Sequence, residues 1–140
     1  CAVLGTPNAR QKACYRAIEA GMEKAMGLLR PGAVPSKLFA ESAAAVEKAG
    51  IKDYTKLAHF CGHGIGIEAR DYPVFTKPMK AKSPFLPGTY DLPVEEGMVI
   101  SIEVPYGELG LGGFQTEYTL LVKKDGCEKL YPHHRELVVR

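Results

Sequence analysis

The sequence has little net charge, a formal +2 over 140 residues. A chain so balanced gives no electrostatic reason to bind nucleic acid, and no nucleic-acid partner is expected. It has no apolar run near the roughly 20 residues that a membrane span requires, and no leader of the signal-peptide type. No membrane partner is therefore expected. Cysteine is sparse: Cys1, Cys14, Cys61 and Cys127 form no CxxC pair. A small secreted scaffold would carry more of them. They read as free thiols in a reducing compartment, the cytoplasm. The first residue is Cys1 rather than methionine, which reads as a processed product or an excised piece. There is no internal repeat and no low-complexity segment. What is present is ordinary for a globular domain: 46% hydrophobic and 24% charged residues, enough for one domain with its own core.

The chain divides into helices first and strands after. Tyr15, Ile18, Met22, Met26 and Leu29 recur at helical spacing and predict a helix from Pro7 to Leu29, with Thr6 as N-cap. Arg30-Pro31-Gly32 ends it. A second helix is predicted from Ser36, as its cap, to Lys48, followed by Gly50. The short linker makes an antiparallel helix pair. Beyond it, Leu57–Gly62, Met98–Val104 and Phe114–Lys123 read as strands. Lys124-Asp125-Gly126 is a hairpin turn leading to Cys127–Leu130. Lys77–Pro93, rich in proline and lysine, reads as a long surface loop over a site. The order predicts an α+β fold, a helix pair packed on an antiparallel sheet.

Three segments carry side chains capable of chemistry. In His59-Phe60-Cys61-Gly62-His63-Gly64-Ile65-Gly66, an extended backbone puts His59, Cys61 and His63 on one face. Gly62, Gly64 and Gly66 leave room for close backbone approach. The imidazoles serve equally as metal ligands or proton shuttles, or as ordinary hydrogen-bonding groups at a strand end. In Met98–Val104, the apolar Met98, Ile100, Ile102 and Val104 share one face, and Ser101 and Glu103 share the other with Val99. Glu103 then meets water, an ion-pair partner or a metal. In Phe114–Val122, Gln115, Glu117 and Thr119 oppose Phe114, Tyr118 and Leu120. Glu117 sits in a polar stripe that is either solvated or functional. Glu103 and Glu117 lie on consecutive strands, and with an imidazole they make an N/O ligand set suited to Mn²⁺, Zn²⁺, Fe²⁺ or Co²⁺.

The order of these segments resembles the pita-bread metallohydrolases: prolidase, aminopeptidase P, methionine aminopeptidase and creatinase. His63 through Pro73 resembles the element H-G-I-G-L-x-x-H-E-x-P. Glu95 through Glu103 resembles x-x-G-M-V-x-T-I-E, and Gly112 through Glu117 resembles G-G-x-R-x-E. The hairpin at Arg30-Pro31-Gly32 and the tail from Leu130 to Leu137 are similar to the family's as well. The resemblance implies the C-terminal half of a pita-bread fold, with a curved sheet, over residues 1–140.

It further implies two divalent metal ions (Mn, Co, Zn or Fe) held by two Asp, one His and two Glu. His63, Glu103 and Glu117 fall on the His and Glu positions. The two Asp belong to the N-terminal half, which no part of this chain matches. His59 falls on a histidine that binds substrate or relays protons. The implied reaction is hydrolysis of a peptide or small amide, of the Xaa-Pro dipeptidase or aminopeptidase P type. Four positions depart, among them Tyr118, which stands where the family often has an Asp after the last ligand. The family's second histidine is Arg70, its neighbouring Glu is Asp71, and the Arg before the last ligand is Gln115. Arginine cannot act as a neutral acceptor, but Arg70 suits clamping a substrate carboxylate or another anion. The alternatives are a creatinase-like hydrolase of a non-peptide substrate, favoured by Arg70, and a non-catalytic binding module. The expectation is that this piece is inactive alone. It would require the missing half or a partner chain, and its uncovered face would drive homo-oligomer formation.

Overall fold

The computed structural model describes residues 1–78, 91–132 and 136–140. Most of the expected Lys77–Pro93 loop and part of the expected tail lie outside them. Two helices, α1 (Ala9–Leu28) and α2 (Pro35–Lys48), precede a single helical turn, α3 (Tyr54–Leu57). The main sheet then follows: β1 (Phe60–Gly64), β2 (Asp71–Thr76), β3 (Val99–Glu108), β4 (Gly112–Lys123) and β5 (Gly126–Lys129). Its strands are antiparallel in the order β2-β1-β3-β4-β5. A separate parallel pairing joins Ala2–Val3 to Val138–Val139.

The helix pair forms one layer and the sheet the other. α1 buries Tyr15, Ile18 and Met22 of the expected stripe together with Ala25, while Met26 is only half-buried, and α2 buries Leu38, Phe39, Ala43 and Val46. The helices cross at Gly21, where a Cβ would run into Val46, and the Ser42 hydroxyl donates to the Gly21 carbonyl at 3.0 Å. From the sheet, Ile100, Ile102, Val104, Phe114, Tyr118, Leu120 and Val122 meet them in one core. Each such side chain contributes about 1.5–3 kcal/mol of transfer free energy. One face of the sheet is thereby sealed, and the alternate residues are delivered to the other.

Several boundaries differ from the sequence reading, each for a local reason. α1 begins at Ala9 rather than Pro7, because Asn8, not Thr6, makes the capping box with Gln11. α2 starts with Pro35 at its first turn and has no side-chain cap; Ser36 instead binds Asp91 through its amide and hydroxyl. The strand expected from Leu57 begins only at Phe60, because Leu57 is the last residue of α3, which the Tyr54 hydroxyl pins to the Pro105 carbonyl at 2.9 Å. β2 was not expected, since Pro73 interrupts an otherwise strand-like run. It sits at the sheet edge, where a missing N–H donor is tolerated.

Candidate metal centre

The site lies on the sheet face away from the helices, and the period of two along β3 and β4 builds most of it. In that ladder Glu103 stands directly opposite Glu117, and Ser101 opposite Thr119. Ser101 and Glu103 are nonetheless buried, the latter 8% exposed. The carboxylates are fastened by neutral donors. Gln115 Nε2 donates to Glu103 Oε2 at 2.9 Å and reaches Glu117 Oε2 at 3.4 Å. The Ser101 hydroxyl donates to Glu117 Oε1 at 2.7 Å. Burial and the facing Glu117 raise the Glu103 pKa, and His63 and Arg70 oppose the shift.

His63 arrives from the other side, on β1. It pairs with Ser101 across the β1–β3 ladder. Its Nδ1 lies 2.8 Å from the Gly64 carbonyl oxygen. A carbonyl can only accept, so Nδ1 carries the proton, and in the neutral ring Nε2 carries the lone pair. That nitrogen faces Glu103 Oε1 at 3.4 Å. Two acceptors set face to face call for a positive species between them, either a proton on Nε2 or a cation. Anchoring one ring nitrogen on a backbone carbonyl is how metal-binding histidines are oriented. His63, Glu103 and Glu117 therefore fit a cation by donor type and direction. Among the described residues, no three His, Cys, Asp or Glu side chains converge tightly enough to form a ready cation cluster.

The glycines of this segment are required by contact. A Cβ on Gly62 would press on the Ser101 carbonyl, and one on Gly64 would strike the Tyr72 carbonyl. β1 and β2 also run out of step. Phe60 pairs with Thr76 and His63 with Val74, so β1 spends one more residue than its partner over that stretch. The extra residue reverses the alternation. This corrects the expectation that Cys61 shares a face with His63. Cys61 turns into the helix-side core, 2% exposed, and burial pushes its thiol up to about 12. It is neither ligand nor nucleophile there.

The remaining two candidates flank the centre. His59 precedes β1 and is exposed. Its carbonyl accepts from the Thr76 hydroxyl, while among the described residues no ion pair joins its ring to Glu103 or Glu117. Arg70 closes the exposed loop between β1 and β2. Its guanidinium carbon lies 4.3 Å from the centroid of the Phe60 ring, and its charge is felt at Glu103. Sequence reasoning missed two supporting roles. Gln115 was noted only as a departure, although its amide couples both carboxylates. Phe60 carried no signal at all, because its partner is brought back only by the loop.

A helix pair on an antiparallel sheet, with one His and two Glu on the open face, defines the C-terminal half of a pita-bread fold. The chain belongs to metallopeptidase family M24, whose model matches residues 1–124. It is 30% identical over 137 residues to the Xaa-Pro dipeptidase of Pyrococcus furiosus, covering 97% of this chain and 35% of that protein. Its structure is similar to the prolidase from Pyrococcus furiosus, with a TM-score of 0.75 at 27% identity, covering 93% of this chain and 35% of that one. It is similar also to dipeptidase PepE from Mycobacterium ulcerans, with a TM-score of 0.80 at 25% identity, covering 99% and 34%. The chain thus spans about a third of the length of the relatives it matches. Among the described residues, no helix is long and apolar enough to cross a membrane.

Proposed function

We propose that residues 1–140 are the C-terminal portion of a metal-dependent hydrolase of the Xaa-Pro dipeptidase or aminopeptidase P type. The observation that carries this reading is His63 Nε2 facing the Glu103 carboxylate at 3.4 Å, with Glu117 directly across the ladder from Glu103. His63, Glu103 and Glu117 hold divalent metal. An N/O donor set of this kind suits Mn, Co, Zn or Fe. Two such ions, when bound, supply an activated water and polarise the scissile carbonyl.

The chain's own residues do the rest. Gln115 and Ser101 hold the carboxylates in place without adding charge. His59, exposed beside β1, binds substrate or relays protons. Arg70 is the substrate-facing cation. The two remaining carboxylate ligands come from an N-terminal half or a partner chain that covers the open face, and the assembly is a homo-oligomer. The piece alone is inactive. Four unpaired thiols suit the cytoplasm. A second reading, a creatinase-like hydrolase of a small non-peptide substrate, is favoured by one observation: an arginine that cannot lose its proton stands at Arg70.

The test is an assay of the intact protein carrying this chain, with Mn²⁺ and with EDTA, on an Xaa-Pro dipeptide and on creatine. Metal-dependent cleavage of the dipeptide is expected, and metal analysis should find two ions per site. Cleavage of creatine alone would select the second reading. Neither activity, with no metal bound, would sink both.

A further inference from the structure

Glu103 and Glu117 face each other across the β3–β4 ladder, and like charges set directly opposite repel. What holds them together is uncharged. The Gln115 amide has two N–H bonds to give, and its Nε2 lies 2.9 Å from Glu103 Oε2 and 3.4 Å from Glu117 Oε2. Ser101 donates its hydroxyl to Glu117 Oε1, and His63 Nε2 faces Glu103 Oε1. Each of the four carboxylate oxygens thus has one protein neighbour and keeps a lone pair to spare. Among the described residues, no lysine or arginine lies within ion-pairing distance of either carboxylate.

A different side chain in that place would act differently. A guanidinium would grip both carboxylates with charge-assisted bonds and repel an incoming metal ion. An apolar side chain would give no bond, and the two carboxylates would swing apart. The amide fixes their geometry and leaves their charge to be met by the metal ions. Resting on the metal-dependent reading above, we propose that Gln115 is a positioning residue whose neutrality sets how tightly the centre holds its ions. The empty site is kept less stable than a charge-matched one, and bound metal recovers the difference. Gln115 is exposed and stands opposite Pro105 in the ladder, so a longer side chain fits there without displacing the core.

The rival explanation is that Gln115 only supports the fold. Gln115→Arg and Gln115→Met separate the two in the intact protein, stripped of metal. Equilibrium dialysis reads Mn²⁺ affinity, and thermal melting reads the stability of the metal-free protein. Both variants should lose about 10- to 100-fold in Mn²⁺ affinity, Arg more than Met. The melting temperatures should move in opposite directions, with metal-free Gln115→Arg above wild type and Gln115→Met below it. A merely structural role would lower affinity and melting temperature together in both. Full Mn²⁺ affinity in either variant, or a metal-free Gln115→Arg that melts at or below wild type, overturns the proposal. Cleavage of an Xaa-Pro dipeptide is scored separately. A wild type that binds Mn²⁺ with this dependence and cleaves nothing sinks the hydrolase reading and leaves the neutral clamp standing. Metal-dependent cleavage without the dependence does the reverse.

Discussion

β3 and β4 pair residue for residue over their whole contact, from Val99 opposite Leu121 to Glu108 opposite Gly112. β1 and β2 slip register twice within five residues of β1. The candidate centre draws on both regions. The regular ladder places its two glutamates by alternation alone, so their positions are set by the same pattern that buries Ile102 and Tyr118 behind them. The irregular pair does something alternation cannot. Its extra residue sends Cys61 into the core and turns His63 toward Glu103. Rigid placement of carboxylates and adjustable aim of an imidazole are thus assigned to different parts of one sheet.

The sharpest test of that division removes one proposed ligand from each region. Glu117→Gln in the ladder and His63→Asn in the slipped strand should each lower Mn²⁺ affinity of the intact protein by more than about 100-fold. Loss of a supporting group typically costs about 10- to 100-fold, and a ligand should cost more. Gln115→Ala, which leaves the ligands but frees their carboxylates, should fall within that supporting range. Equilibrium dialysis with metal analysis reads all three. A Gln115→Ala loss equal to that of Glu117→Gln would mean that the amide, not the strand period, positions the carboxylates.

The same contrast explains what could be read in advance. The facing of Glu103 and Glu117 was legible because each sits on the polar side of an alternating strand, and that alternation is what the ladder uses. The glycines around His63 were legible as points of close approach, since Gly62 and Gly64 do meet backbone oxygens. The facing of Cys61 was not, because a one-residue slip has no local mark in the sequence. β2 was hidden by Pro73. The parallel contact of Ala2–Val3 with Val138–Val139 joins two dipeptides from opposite ends of the chain, too short for any period. Arg70 stood out by its chemistry, but its seat on Phe60 is a tertiary contact.

Glycine substitutions probe the comparison through the backbone. At Gly64 a methyl group would strike the Tyr72 carbonyl, while at Gly107 in the ladder it meets nothing within 4 Å. Overpacking typically costs about 1–3 kcal/mol, and backbone has little room to yield, so Gly64→Ala should lose about 3 kcal/mol. It should also weaken metal binding by displacing His63. Gly107→Ala should change stability by no more than about 0.5 kcal/mol. Urea denaturation of the two variants measures both, and similar losses would refute the idea that, within the sheet, the slipped strands and not the β3–β4 ladder depend on close approach.

The smallest effect is expected at the far end of the ladder, where a side-chain clamp takes over from the backbone. Arg10 on α1 donates to Glu108 on β3, with Nη2 at 2.6 Å from Oε2 and Nε at 3.3 Å from Oε1. The Tyr106 hydroxyl adds a third donor at 2.8 Å. Arg10, and after it Tyr106, lowers the Glu108 pKa. A carboxyl whose folded pKa is depressed binds its proton more readily when unfolded. Its contribution is therefore complete above the unfolded value, roughly 4.3 for glutamate, and drains away as pH falls through the lower folded value. Wild type should accordingly be slightly more stable than Glu108→Gln at pH 6, and the two should converge as the pH is brought below 4. The clamp is solvent-exposed, so added salt should shrink the pH 6 difference. Thermal melts of both proteins at the two pH values, with and without 0.5 M NaCl, read the sign directly. A gap that persists unchanged at low pH would mean that Glu108 acts there by packing rather than by charge.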